Sequence, residues 1–171
     1  MDKQNIVLVG FMGTGKTTVG RLLSEKTGMP LVDMDTSIEA CAGKSINDIF
    51  AQDGEPHFRA LEREMVQKLA SMNGQVISTG GGIVTDSDNI SDYEKTGLVV
   101  CLLASAEEIL NRVRNEDTRP LLAGDKEKKI VQLLESRRPL YEAIPHKIET
   151  DGLSPHDIAA QIIALYETNN S

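Results

Sequence analysis

The residues GFMGTGKTT, Gly10 to Thr18, follow the apolar run NIVLV without a break and set Gly10, Gly15, Lys16 and Thr17 at the spacing GxxxxGK[ST]. Each type has a physical task. The glycines let successive backbone N–H groups converge on an anion, and the helix expected after them adds the positive end of its dipole. Lys16 is spaced to reach the β- and γ-phosphates of a nucleotide, and the Thr17 hydroxyl to ligate Mg2+. Gly13, Thr14 and Thr18 complete the loop, so a nucleoside triphosphate with Mg2+ is the expected ligand. Such a loop does not by itself separate a kinase from a GTPase, a motor or a switch.

Five further segments bear on what receives the phosphoryl group. LVDMDTSIEA carries Asp33 and Asp35 off the end of an apolar run. One carboxylate there can orient water on the metal while the other accepts hydrogen bonds, and then a proton, from an acceptor hydroxyl. At the head of DTSIE, Asp35 is also what a helix N-cap uses. QVISTGGGIV offers Gly80, Gly81 and Gly82, a bare backbone against which a small polar molecule can lie. Arg59 in DGEPHFRALERE and Arg137 in ESRRPLYE suit a bidentate grip on a carboxylate. An exposed Arg59–Glu62 ion pair of little energetic weight is the plainer reading. In TRPLL, Arg119 can meet the charge on a transferring phosphoryl group, and Arg112, near the end of the preceding helix, can lie on an adenine face or be a solvated helix-end arginine.

Something must bring these segments to one edge. Short apolar runs recur at Asn5–Val9, Leu31–Val32, Gln75–Ser78, Leu98–Leu103 and Lys147–Glu149, and helical patterns cover Gly15–Thr27, Ser45–Ser71 with a break near Asp53-Gly54, Ala106–Arg114, Glu127–Glu142 and Pro155–Glu167. Alternating β and α elements, with runs apolar on both faces, predict a doubly wound α/β parallel sheet covered on each side. Ligands of such sheets gather beyond the carboxyl ends of the strands. The polar stretch NEDTRPLLAGDKEKK, Asn115 to Lys129, reads as a lid between two helices.

At 171 residues the chain is expected to form one domain, 1–171. Acidic residues number 26 against 18 basic, a net charge of -8, which argues against nucleic-acid binding and requires an anionic ligand to be met locally. No apolar run nears the roughly 20 residues of a membrane span, and MDKQNIVLVG enters a strand directly without a leader pattern, so neither membrane nor export is expected and the cytoplasm is. Cys41 and Cys101 lack metal-type spacing, as do His57, His146 and His156.

The ordered series GFMGTGKTT, DMDTSIE, SINDIFAQDGEPHFRALE, STGGGIV, TRPLLAG and RRPLYE resembles the shikimate kinase family over nearly the whole chain, to about Pro155. The resemblance implies a P-loop NTPase fold of the nucleoside monophosphate kinase type, three layers with a five-stranded parallel sheet ordered 2-3-1-4-5. It implies an acceptor-binding subregion at 34–62, a lid at 112–126, and transfer of the ATP γ-phosphate to the 3-hydroxyl of shikimate by a monomer. Residue by residue, Asp33 resembles the carboxylate behind the metal, Asp35 the residue on the shikimate hydroxyls, Arg59 and Arg137 the carboxylate clamp, Gly81 the backbone contact, Arg119 the lid arginine and Pro155 the adenine neighbour. Arg137 rather than Arg138 is chosen by its spacing to PLY. A gluconate kinase, a nucleoside monophosphate kinase and a silent nucleotide-binding homologue are the rival readings.

Overall fold

The run Asn5–Gly10 is buried at every position and forms β1, the central strand of the sheet. Its side chains alternate between two cores: Val7 and Val9 enter one hydrophobic cluster, Ile6 and Leu8 the other. A strand apolar on both faces is stable only with helices above and below, and that requirement sets the three-layer architecture. Fully burying each such side chain contributes about 1.5–3 kcal/mol, so Leu8→Ala would remove roughly 2–5 kcal/mol once the cavity is included.

A computed structural model describes residues 3–116 and 125–171. After β1 come α1 (Lys16–Thr27), β2 (Leu31–Asp33), α2 (Met34–Ala42), α3 (Ile46–Asp53), α4 (Glu55–Ala70), β3 (Val76–Ser78), a 3-10 turn (Ile83–Thr85), α5 (Ser87–Thr96), β4 (Gly97–Leu103), α6 (Ala106–Glu116), α7 (Asp125–Glu142), β5 (His146–Glu149) and α8 (Pro155–Asn169). The five strands are all parallel in the order β2-β3-β1-β4-β5, as the resemblance implied. Val19 and Leu23 of α1 and Ile158 and Ile162 of α8 cover one face. The other face takes Met34, Val66, Tyr93, Ile109 and Tyr141 from α2, α4, α5, α6 and α7.

The sheet ends are pinned by polar groups. Thr79 donates to the Leu8 carbonyl from its N–H at 3.1 Å and its hydroxyl at 2.8 Å, which holds the exit of β3 beside the exit of β1. At the opposite edge Asn5 donates from Nδ2 to the Met72 carbonyl at 2.7 Å and accepts from the Gln75 N–H at 3.0 Å.

The break expected near Asp53-Gly54 within Ser45–Ser71 falls at Gly54, whose φ of +87° ends α3 and turns the chain into α4. Helix α5 was not anticipated, because SDNISDYEKT is mostly polar and buries only Asn89 and Tyr93. Tertiary contacts stabilise it: Arg63 of α4 donates to Asn89 Oδ1 at 3.1 Å and to Asp92 Oδ2 at 2.6 Å, and Asn89 Nδ2 donates to the Ile83 carbonyl at 3.1 Å.

Candidate active site

Between β1 and α1 the chain turns through Gly15, whose φ of +92° lies in the left-handed region that favours glycine. The backbone N–H groups from Gly13 to Thr18 donate to no group among the described residues, so a row of orphan donors faces outward at the start of α1. Thr17 and Thr18 are exposed, and their hydroxyls are also unpartnered among the described residues. Thr14 differs: its hydroxyl donates inward to the Phe11 carbonyl at 2.8 Å and staples the loop, which leaves only its N–H for a ligand. Lys16 Nζ folds over the loop, donating to the Gly10 and Phe11 carbonyls at 2.5 and 2.9 Å. Burial pushes its pKa down to about 8, against the opposing pull of Cys101, Asp35 and Asp33.

At the exit of β2, Asp33 caps α2 by accepting the Thr36 N–H on Oδ1 at 3.2 Å. The capping role that DTSIE suggested for Asp35 belongs instead to Asp33, and Asp35 sits in the first helical turn with no hydrogen-bond partner among the described residues. Asp33 keeps one carboxylate oxygen outside the cap. With the Thr17 hydroxyl it supplies hard oxygen donors of the kind that suit Mg2+, which takes few protein ligands and keeps water and phosphate oxygens. Burial raises the Asp35 carboxyl above the ordinary range, the negative charge of Asp33 adds to that, and Lys16 opposes it.

Past β3 the three glycines have their space filled by the site's own side chains. A Cβ on Gly80 would lie 3.0 Å from Asp35 Oδ1, one on Gly81 would lie 3.7 Å from Arg137 Nη1, and one on Gly82 would collide with the Arg59 guanidinium. Asp35, Arg59 and Arg137 thus converge on a single backbone turn from three helices. All three glycine carbonyls are occupied: Gly80 by the Ile83 N–H, Gly82 by the Thr85 N–H and hydroxyl, and Gly81 by the Tyr141 hydroxyl. None of the three N–H groups has a partner among the described residues. The turn is a set of unmet donors beside two guanidinium groups, which suits an anion or a polyol.

The Arg59–Glu62 pair forms at 3.0 Å but is not the exposed pair that the sequence allowed, because Glu62 is only 2% exposed. Burial raises the Glu62 carboxyl, and Arg59 opposes that. Arg59 also meets Glu55 at 3.3 Å and stands 5.3 Å from the Phe58 ring centroid, with Phe50 stacked beyond at 4.9 Å. Arg137 forms no ion pair among the described residues, and its guanidinium bears on the Tyr141 hydroxyl. Tyr141 was missed in the sequence, and Glu62 was weighed only as an exposed partner of Arg59, although both stand one turn from an arginine already singled out.

On the other side of the loop, Arg112 Nη1 donates to the Gly13 carbonyl at 3.0 Å while Nε meets Glu108 at 2.9 Å. Arg112 therefore bridges the P-loop to the chain after β5, where Thr150 lies 3.5 Å away. Pro155 is exposed at the first turn of α8, behind a capping box of Ser154 and Asp157. Arg119 and most of the 112–126 lid lie outside the described residues; 112–116 end α6, and 125–126 begin α7.

The sequence profile described as shikimate kinase matches residues 12–167. A protein named shikimate kinase from Thermodesulfovibrio yellowstonii is 44% identical over 165 residues, covering 96% of this chain and 95% of its own. Among solved structures, shikimate kinase from Acinetobacter baumannii in complex with shikimate superposes with a TM-score of 0.87 at 39% identity, covering 98% of this chain and 94% of that one. Shikimate kinase from Bacteroides thetaiotaomicron superposes with a TM-score of 0.84 at 33% identity, covering 98% and 99%.

Proposed function

The chain belongs to the shikimate kinase family, and on that footing we infer its reaction: it transfers the γ-phosphate of ATP to the 3-hydroxyl of shikimate, giving shikimate 3-phosphate and ADP. This is a step of chorismate and aromatic amino-acid biosynthesis. The observation that carries the reading is the turn at Gly80–Gly82, where Asp35, Arg59 and Arg137 meet unpartnered N–H groups beside the P-loop. Shikimate is a small carboxylate with three hydroxyls, and the turn offers two guanidinium groups, a free carboxylate and backbone donors.

The roles divide as follows. The N–H groups of Gly13 to Thr18 bind the phosphate chain, and Lys16 leaves the Gly10 and Phe11 carbonyls to reach the β- and γ-phosphates. Arg59 and Arg137 grip the shikimate carboxylate and thereby orient the ring. Asp35 accepts the hydrogen bond of the 3-hydroxyl and takes its proton as the oxygen attacks. The new oxygen–phosphorus bond forms while the bond from γ-phosphorus to the bridging oxygen breaks, and that electron pair leaves on ADP. Burial, and then the charge of Asp33, raise the Asp35 pKa, which strengthens it as a base. Mg2+, held by Thr17 with Asp33 behind it, supplies charge neutralisation on the phosphates when bound. Arg119 would add charge at the transferring group and exclude water. Arg112 and Pro155 flank the space for the adenine. ATP as donor supports the cytoplasm as the compartment, and a monomer has every group this reaction needs.

The test is consumption of ATP with Mg2+ in the presence of shikimate, gluconate, nucleoside monophosphates or no acceptor, with the phosphorylated product identified by mass. Turnover with shikimate alone is expected. Nucleotide binding without phosphorylation of any acceptor would instead favour a silent homologue.

A further inference from the structure

Tyr141 lies one turn after Arg137 on α7, is 1% exposed, and donates its hydroxyl to the Gly81 carbonyl at 2.5 Å. Its ring meets Phe11 of the P-loop edge-on, with centroids 6.5 Å apart and planes at 76°. Phe11 is itself buried and accepts Lys16 Nζ and the Thr14 hydroxyl on its carbonyl. The ring is therefore held by the nucleotide loop while its hydroxyl holds the acceptor turn. Burial pushes the phenol up to about 12, so it stays a donor over the working range of pH.

We propose that Tyr141 is a positioning residue for the acceptor: by taking the Gly81 carbonyl it orients the Gly81–Gly82 peptide so that the Gly82 N–H is presented to the bound substrate. The reason is geometric. This peptide is trans, so its carbonyl and N–H point to opposite sides, and fixing one fixes the other. The Gly80 and Gly82 carbonyls are held within the turn itself, by Ile83 and Thr85. Only the middle carbonyl depends on a residue 60 positions away. Glycine has no side chain to restrict this peptide, so without the hydroxyl it is free to rotate, and the donor is lost to the substrate for part of the time. The Arg137 guanidinium, one turn back, also bears on this hydroxyl, so the Gly82 amide, and not KM alone, reads the effect carried by the backbone.

The proposal rests on shikimate being the acceptor, and wild-type turnover with shikimate is its first control. If the wild type fails to phosphorylate shikimate, that assignment falls and the proposal with it. Given wild-type turnover, Tyr141→Phe keeps the ring and the Phe11 contact and removes only the hydroxyl. It is expected to raise the shikimate KM, and the shikimate Kd by calorimetry, by about tenfold, the weight of one well-placed hydrogen bond. The KM for ATP should stay within about twofold, since the nucleotide loop keeps its contacts. A lower melting temperature with both KM values unchanged would mean that the hydroxyl serves only to stabilise the fold, and parallel shifts in both would mean a general loss of structure; either overturns the proposal. A second measurement needs no variant. In wild-type enzyme labelled with 15N-glycine, shikimate should shift the Gly82 amide resonance, and an unmoved Gly82 signal at saturation overturns the proposal too.

Discussion

Arg59 donates from Nη1 to Glu62 Oε1 at 3.0 Å, one turn further along α4, and the two ends differ sharply in exposure: the Arg59 side chain is 26% exposed and that of Glu62 is 2%. A carboxylate so buried is retained at a cost unless its charge is matched. Here it aims the guanidinium at Gly82. Glu62→Ala is expected to lower the melting temperature and to raise the shikimate KM on the order of tenfold, with the ATP KM unchanged. Glu62→Gln, which still accepts a hydrogen bond, should fall between. Steady-state kinetics in both substrates decides it, and an unaltered shikimate KM in the alanine variant would make the pair purely structural.

Gly82 has an ordinary φ of −90°, so alanine there brings no backbone strain. Its Cβ would occupy the place of the Arg59 guanidinium, the far end of a flexible side chain. Gly82→Ala should therefore melt close to wild type while weakening shikimate binding by about tenfold or more, with ATP binding intact. Loss of stability together with both substrates would show that the turn tolerates no side chain for reasons of folding.

Asp35 combines function with instability. Its folded pKa is raised above 3.8 by burial and then by Asp33. In the window between the unfolded and folded values the native chain holds a proton that the unfolded chain has released. Stability from this group therefore falls as pH rises through that window, and the loss persists at neutral pH. Asp35→Asn should melt slightly above wild type at pH 7, with the gap closing below about pH 3.8, while turnover falls by at least about a hundredfold. Melting curves at both pH values and a single-turnover assay read these effects separately, and undiminished turnover would remove Asp35 as the base.

Lys16 titrates in an accessible range. Burial lowers it from 10.5 to about 8 in the nucleotide-free protein, and phosphate binding requires the cation. Nucleotide Kd should be flat below pH 8 as far as this group is concerned, and should rise above it, approaching about tenfold per pH unit. The unfolded chain keeps the lysine proton up to 10.5, so the cost of the buried ammonium is complete below pH 8 and fades between 8 and 10.5. Lys16→Met should be the more stable protein at pH 7, with its advantage shrinking over that interval in urea melts. An advantage independent of pH would place the ammonium in solvent rather than within the loop.

What the sequence determined by itself was local. The P-loop is a contiguous run whose glycine spacing, lysine and threonine act through their own backbone, and β1 shows its burial through unbroken apolarity; both were legible because their energetics lie within one element. Asp35 and Gly80–Gly82 stood out because each follows a strand at the carboxyl edge of a parallel sheet, whereas Arg59 and Arg137, inside α4 and α7, were singled out by residue type and by the resemblance. The strand order came from the resemblance, since alternation alone does not rank neighbours. Tertiary structure decided the rest: that Asp33 and not Asp35 caps α2, that Glu62 is buried, that α5 is a helix at all, and that Tyr141 closes on Gly81. In each case the deciding partner sits on another element or depends on how elements pack. Burial of a polar group, and the choice among possible hydrogen-bond partners, are properties of neighbours that only the folded chain brings together.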